Sequence, residues 1–201
     1  MRISFRLSVL LVPILMGAAT APAANAQSAA ELKDQIQARS QNLAEFRALL
    51  NDPDQTVRLA ALDSMLKSDD IAMREMAYGT CFNSADAAMR GICVKNKMSE
   101  MQTIVIEIDD FDGATEKEQK TIDTWGGAYT FGVKEFDQTT GQMQTQGSYK
   151  GGTGHVTGTG FDFAQAYCSG KFELVDGGHL EGELRCTGSW GGRYPGRIRL
   201  Q

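Results

Sequence analysis

The groups in this chain equipped for chemistry are two histidines, four cysteines and 25 carboxylates, and their spacing narrows what they do. His155 and His179 stand apart, the second in a turn, and no His, Cys or acidic pair recurs at the intervals of a metal site. The chain lacks a Gly-x-Ser-x-Gly elbow, a phosphate loop and a dinucleotide fingerprint; Gly152-Thr-Gly154 and Gly158-Thr-Gly160 lack the rest of either glycine pattern. A glycosidase needs two carboxyl groups facing one bond. Glu107, Asp109, Glu135, Asp162 and Glu173 are candidates for such a pair, but sequence does not bring any two together. No catalytic residue, metal ligand or cofactor is therefore assigned, and binding without catalysis is the first expectation, a cryptic carboxylate-dependent hydrolase the last.

The cysteines have a structural use. A hairpin folded about Gly177 sets Leu174 opposite Leu180, Phe172 opposite Gly182, Gly170 opposite Leu184 and Cys168 opposite Cys186, all on one face. Lys171, Glu173, Glu181, Glu183 and Arg185 fall on the other face, which suits water. The register predicts a Cys168 to Cys186 bridge, and Cys81 and Cys93, in the apolar stripes of consecutive helices, are left to pair with each other. Bridges of this kind belong to an oxidising compartment.

One constellation suggests recognition. Thr124-Trp-Gly-Gly-Ala-Tyr129 and Ser189-Trp-Gly-Gly-Arg-Tyr194 share the pattern Trp-Gly-Gly-x-Tyr, and they contain the chain's two tryptophans. Trp125, Tyr129, Trp190 and Tyr194 either plug one end of a β structure or form an aromatic patch. Beside them Arg193, Arg197 and Arg199 alternate with Tyr194, Ile198 and Leu200 and form an outward basic row, so the seven residues together make the candidate binding surface. In a closed barrel the strands carrying the two motifs would be neighbours.

These residues must be positioned by two kinds of architecture. All but four of the 22 glycines lie from Gly126 onward, whereas alanine and methionine crowd the earlier part. From Asp54 to Met98 a 16-residue unit is written three times, with Asp54, Asp70 and Asp86 each followed four residues later by Arg58, Arg74 and Arg90. Apolar columns follow the same period: Ala61, Ala77 and Cys93; Leu62, Tyr78 and Val94; Leu66, Phe82 and Met98. Each unit reads as an amphipathic helix whose aspartate caps its start and pairs with the arginine one turn on. Before them Leu32, Ile36, Leu43, Phe46, Leu49 and Leu50 predict a helix capping the array, closed by Pro53.

The first unit, Asn51-Asp-Pro-Asp-Gln-Thr-Val-Arg-Leu-Ala-Ala-Leu62, resembles the HEAT-like repeat family, with its Asp-Pro start, Val-Arg and small and large apolar residues. The likeness fades afterwards, where Asp69 and Ala85 replace Pro53. It implies an antiparallel helical array over about residues 51–98, two consecutive units making one family-sized repeat.

After Met98, Thr103 to Ile108 predicts a strand. Asp109-Asp-Phe-Asp-Gly113 then departs from a calcium loop and predicts a turn whose carboxylates cap a helix over Thr115 to Asp123. Short strands follow over Ala128 to Phe136, Gln142 to Tyr149, Gly154 to Gly160, Phe161 to Tyr167, Ser169 to Leu174, Leu180 to Cys186 and Tyr194 to Leu200. Their short connections predict an up-and-down antiparallel barrel or a sandwich.

The fold class is α+β in two domains: a signal peptide over 1–26, a helical repeat domain over 27–101 and a glycine-rich antiparallel β domain over 102–201. Arg2 and Arg6, the apolar run Leu7 to Ala19 and Ala24-Asn-Ala26 carry the export signal, predicting a periplasmic or secreted protein with no integral membrane span. Cleavage after Ala26 removes two of 20 basic residues and none of the 25 acidic ones, taking the net charge from -5 to about -7. That balance disfavours nucleic acid. The expected partner is another exported or envelope protein, in an adaptor or inhibitor role. A glycan or a small apolar ligand held in the barrel is the alternative.

Overall fold

The computed structural model describes residues 28–109, 111–147 and 150–201; the expected signal peptide lies outside the described residues. Five helices and eight strands follow one another as α1 (Ala29–Leu50), α2 (Gln55–Leu66), α3 (Ile71–Cys81), α4 (Ala87–Glu100), β1 (Thr103–Ile108), α5 (Glu116–Trp125), β2 (Ala128–Phe136), β3 (Gln142–Gln146), β4 (Gly152–Thr157), β5 (Gly160–Gln165), β6 (Cys168–Val175), β7 (His179–Cys186) and β8 (Gly192–Arg199). The described residues fall into two units, one ending at Arg39 and one running from Ser40 to Gln201.

Within the first unit, Leu32 and Ile36 of α1 are exposed, and α1 continues into the second unit with its C-terminal end. There, in the second unit, Leu50 is buried and Phe46 packs on the core. Helices α2, α3 and α4 pack against one another and bury the repeated columns, including Leu62, Tyr78 and Val94.

The 16-residue period reappears as hydrogen bonds. Asp54, Asp70 and Asp86 are N-caps of near-identical geometry, accepting from the amides of Thr56, Ala72 and Ala88 at 2.7, 2.9 and 2.9 Å. Two residues earlier a second polar side chain holds each cap: Asp52, Ser68 and Ser84 accept from the cap amides at 2.8, 3.1 and 3.1 Å. The arginines bind more than their own helix starts. Arg58 and Arg74 reach back to the carbonyls of Asp52 and Ser68, each at 2.7 Å, and Arg58 forms its ion pair with Asp86, the cap of the third unit, at 2.7 Å. The third arginine leaves the pattern because a second layer is present: Arg90 donates to the Leu174 carbonyl of β6 at 3.0 Å.

The eight strands close in sequence order into an antiparallel barrel, β8 returning to β1. Strand β1 therefore separates β2 from β8, and the strands carrying the two tryptophan motifs are not neighbours as the sequence had suggested. Among the described residues the β1 to β8 seam pairs Glu107↔Arg197 and Ile108↔Gly196, and the Asp109 amide adds one bond to the Pro195 carbonyl at 3.0 Å. The β6–β7 register follows the hairpin about Gly177, Leu174↔Leu180 through Cys168↔Cys186. Disulfides join Cys168 to Cys186 and Cys81 to Cys93, with Cα atoms 4.1 and 6.4 Å apart.

Both barrel ends are covered. The helices abut one end, where Gly91 of α4 lies so near the β4–β5 turn that a Cβ there would stand 3.0 Å from the Gly158 carbonyl oxygen. Helix α5 crosses the other end. Its start is a capping box between Thr115 and Glu118 and not the preceding carboxylates; Asp109 is instead engaged by Arg197. Glu118 also accepts from the Arg193 amide at 3.0 Å, and Lys117 donates to the Gly188 carbonyl at 3.0 Å, which ties α5 to the strand on the far side.

Candidate functional site

The aromatic residues of the two Trp-Gly-Gly-x-Tyr motifs do meet. Trp125 lies 5.2 Å from Tyr129, 5.7 Å from Trp190 and 5.1 Å from Tyr194, ring centre to ring centre. Helix α5 carries Trp125 over the barrel end, and the 3-10 helix Gly188–Trp190 brings Trp190 to it. Tyr194 is fully buried, and its hydroxyl donates to the Trp190 carbonyl at 2.8 Å. Burial also raises the pKa of the Tyr129 phenol above its ordinary value.

The cluster continues inward. Tyr129 touches Phe131 and Phe163 at 6.0 and 6.3 Å, and Phe163 meets Phe131, Phe161 and Phe172 at 4.7, 5.9 and 6.4 Å. A column of rings thus runs from the cap into the barrel, beside the buried Ile104, Ile106, Met143, Leu184 and Ile198. These large side chains pack most of the inward positions.

The basic row has partners of its own. Arg197 binds Asp109 through Nε at 2.9 Å and through a second, shorter contact, and Arg199 binds Glu107 at 2.9 Å. Both pairs cross the short β1–β8 seam, so these side chains join the strands where backbone pairing is sparse. Arg193 is exposed beside Arg185 in the β7–β8 register. Of the carboxylates considered for hydrolysis, Glu107 and Asp109 are thereby engaged, and Glu173 accepts from Thr159 at 3.5 Å.

Glu135 and Asp162 share a different place. A groove of about 900 Å³ is sunk into the outer wall of the barrel across β2 to β7. Cross-strand register builds its floor as two outward rows. One runs Glu135, Gln144, Thr153, Ala164, Ser169 and Arg185; the other runs Gln142, His155, Asp162, Lys171 and Glu183. Between them lies an inward row that alternates large and absent side chains: Met143, Gly154, Phe163, Gly170 and Leu184.

The glycines explain the hollow. A Cβ at Gly154 would stand 2.7 Å from Met143 Cγ and 2.9 Å from the Phe161 ring, and one at Gly170 would stand 2.6 Å from the Phe172 ring and 2.7 Å from that of Phe163. The rings occupy the space those side chains would need, so the wall sits close on the core and its outside is dished. Sequence reasoning passed over this groove, although its signal was legible: once β6 and β7 were put in register, their polar face was already in hand.

The lining is mixed in charge and rich in hydrogen-bonding groups. Glu183 pairs with Arg185, Asp162 faces Lys171 across β5 and β6, and the His155 ring contacts the Thr140 carbonyl at 3.1 Å and Thr157 at 3.0 Å. Asp137, at the β2 end, accepts from the amides of Thr139 and Thr140, and these bonds hold its carboxyl below the usual aspartate range. The strands carrying Glu135 and Asp162 lie three spacings apart, roughly 14 Å along the sheet. Among the described residues no three His, Cys or acidic side chains gather as a metal site.

Comparison with protein-family models, with curated proteins and with solved structures finds no match to this chain.

Proposed function

We propose that this chain is an exported binding protein, without a reaction of its own, which engages a component of the cell envelope or extracellular space through the outside of its barrel. The observation that carries this reading is the pairing of a largely filled interior with a hollowed outer wall: aromatic and aliphatic side chains take most of the inside, where Thr145 and Gln165 are the buried polar side chains of the strands, and the charged groups fall outside. Two disulfides support an oxidising compartment, and no described helix is long and apolar enough to cross a membrane. The tryptophan cluster and the arginines beside it serve first as cap and seam, which moves the recognition surface from β8 to the wall formed by β2 to β7.

The test compares the mature protein with Ala164→Phe, a change at an exposed position in the middle of the groove. Immobilised wild type is expected to retain an envelope component that the filled variant does not, at equal melting temperature. Equal retention by both would remove recognition from this wall.

A further inference from the structure

We infer that the outer-wall groove binds a linear, uncharged glycan chain, laid across the strands with about one sugar over each strand. The inference rests on the binding reading above and names the ligand class.

The first argument is spacing. Residues of one row repeat at the strand separation of ~4.8 Å, close to the length of a pyranose unit in an extended chain. From β2 to β7 the longer row spans five such intervals, roughly 24 Å along the sheet, and the shorter one, from β3, spans four, so about five sugars would lie over successive rungs.

The second argument is the chemistry of the rungs. In the middle of the groove Gln142, Gln144, Thr153 and Ser169 offer amides and hydroxyls that both donate and accept, as sugar hydroxyls do. Ala164 between Thr153 and Ser169 leaves a low, smooth place for a ring to lie. Asp162 and Lys171, side by side in register, supply an acceptor and a donor at the spacing of neighbouring sugar units.

Charge and topology argue against other polymers. The lining carries the carboxylates of Glu135, Asp137, Asp162 and Glu183 against Lys171 and Arg185, a balance that repels polyanions such as nucleic acid. An extended peptide is bound by adding to a sheet edge or by stacking its prolines on aromatic residues. The barrel is closed, so its wall offers no edge, and exposed rings are absent from the lining, where Phe163 is 3 % exposed.

The test is titration of the isotope-labelled mature protein with two probes, a β-1,4-linked pentasaccharide of glucose and one of N-acetylglucosamine, with the matching disaccharides beside them. Saturable shifts are expected on Gln142 to Gln144, Thr153 to His155, Asp162 to Ala164 and Ser169 to Lys171, with the better pentasaccharide binding at least tenfold tighter than its disaccharide. Gln144→Ala with Thr153→Ala should weaken it about tenfold, and Ala164→Phe should abolish it, both at unchanged melting temperature. Absence of binding by both pentasaccharides at millimolar concentration overturns the inference, as does binding that maps to other residues or survives Ala164→Phe. If Ala164→Phe loses an envelope component while no pentasaccharide binds, or if a peptide or polyanion occupies the groove instead, the glycan assignment falls and the outer-wall reading stands.

Discussion

At the scale of single residues, Asp86 combines two roles. It caps α4 through the amides of Ala88 and Met89 and also receives the Arg58 guanidinium from α2, with its side chain 9 % exposed. The Arg58 hydrogen bond, ahead of the backbone bonds, holds the Asp86 carboxyl below the ordinary aspartate range against the opposing effect of desolvation. Arg58→Ala and Asp86→Ala should therefore couple in a double-mutant cycle by roughly 1 to 3 kcal/mol. Additive losses in urea melts would show that the pair contributes nothing jointly. A pH dependence follows from the same geometry. A carboxyl with a depressed folded pKa contributes stability above its unfolded value of about 4, and that contribution disappears as pH falls through the folded value. Asp86, Glu118 and Asp137 all shift in this direction, so stability should be level near neutrality and decline below about pH 4. Asp86→Asn should be less stable at pH 7 and show a shallower acid decline than the wild type, read from melting temperatures between pH 2 and 7.

Among the elements, the β1–β8 seam is where closure depends most on side chains. Two backbone pairs are joined there by Arg197 to Asp109 and Arg199 to Glu107. Arg197→Glu with Arg199→Glu would set like charges across the seam, and the melting temperature should drop clearly. An unchanged melting curve would return these arginines to the solvent-facing role that alternation alone suggests. The cap is a second such element. Trp190 joins α5 to the barrel through Trp125 and packs on the core, so Trp190→Ala should cost about 3 kcal/mol, at the lower end for a half-buried indole. A loss of binding to envelope material without a loss of stability would instead assign Trp190 to a recognition patch. The β6–β7 staple gives a third measure: Cys168→Ser with Cys186→Ser should cost about 2 to 4 kcal/mol in denaturant titrations.

For the whole molecule, the helices and the barrel from Ser40 onward form one compact unit, tied by Arg90 to Leu174, Ser99 to Gln138 and the Gly91 to Gly158 contact. Unfolding of this unit should thus be a single cooperative transition. Far-UV circular dichroism at 222 nm, dominated by the helices, and fluorescence from Trp125 and Trp190 in the barrel cap should report the same midpoint. Separate midpoints would mean that the two layers fold independently. Gly91→Val should lower that shared midpoint, because the added side chain meets backbone, with a cost of about 1 to 3 kcal/mol.

Local periodicity determined much of this protein from its sequence. Helix starts at Asp54, Asp70 and Asp86, the bounds of β1 and β2 and the register about Gly177 were legible because each depends on residues close in the chain or on a strict alternation. The second polar side chain two residues before each cap, at Asp52, Ser68 and Ser84, was legible too and was missed. Tertiary structure alone decided where β1 enters the barrel, and so it set Arg197 beside Asp109 and Arg199 beside Glu107. It also sent Arg58 to Asp86 and Arg90 to Leu174, and it drew the wall onto the core at Gly154 and Gly170 to hollow the outside. The physical reason is range. A cap or a hairpin is chosen by neighbours in sequence, whereas a long side chain settles on whichever partner packing brings within reach, and a glycine's missing side chain has meaning only beside the ring that fills its place.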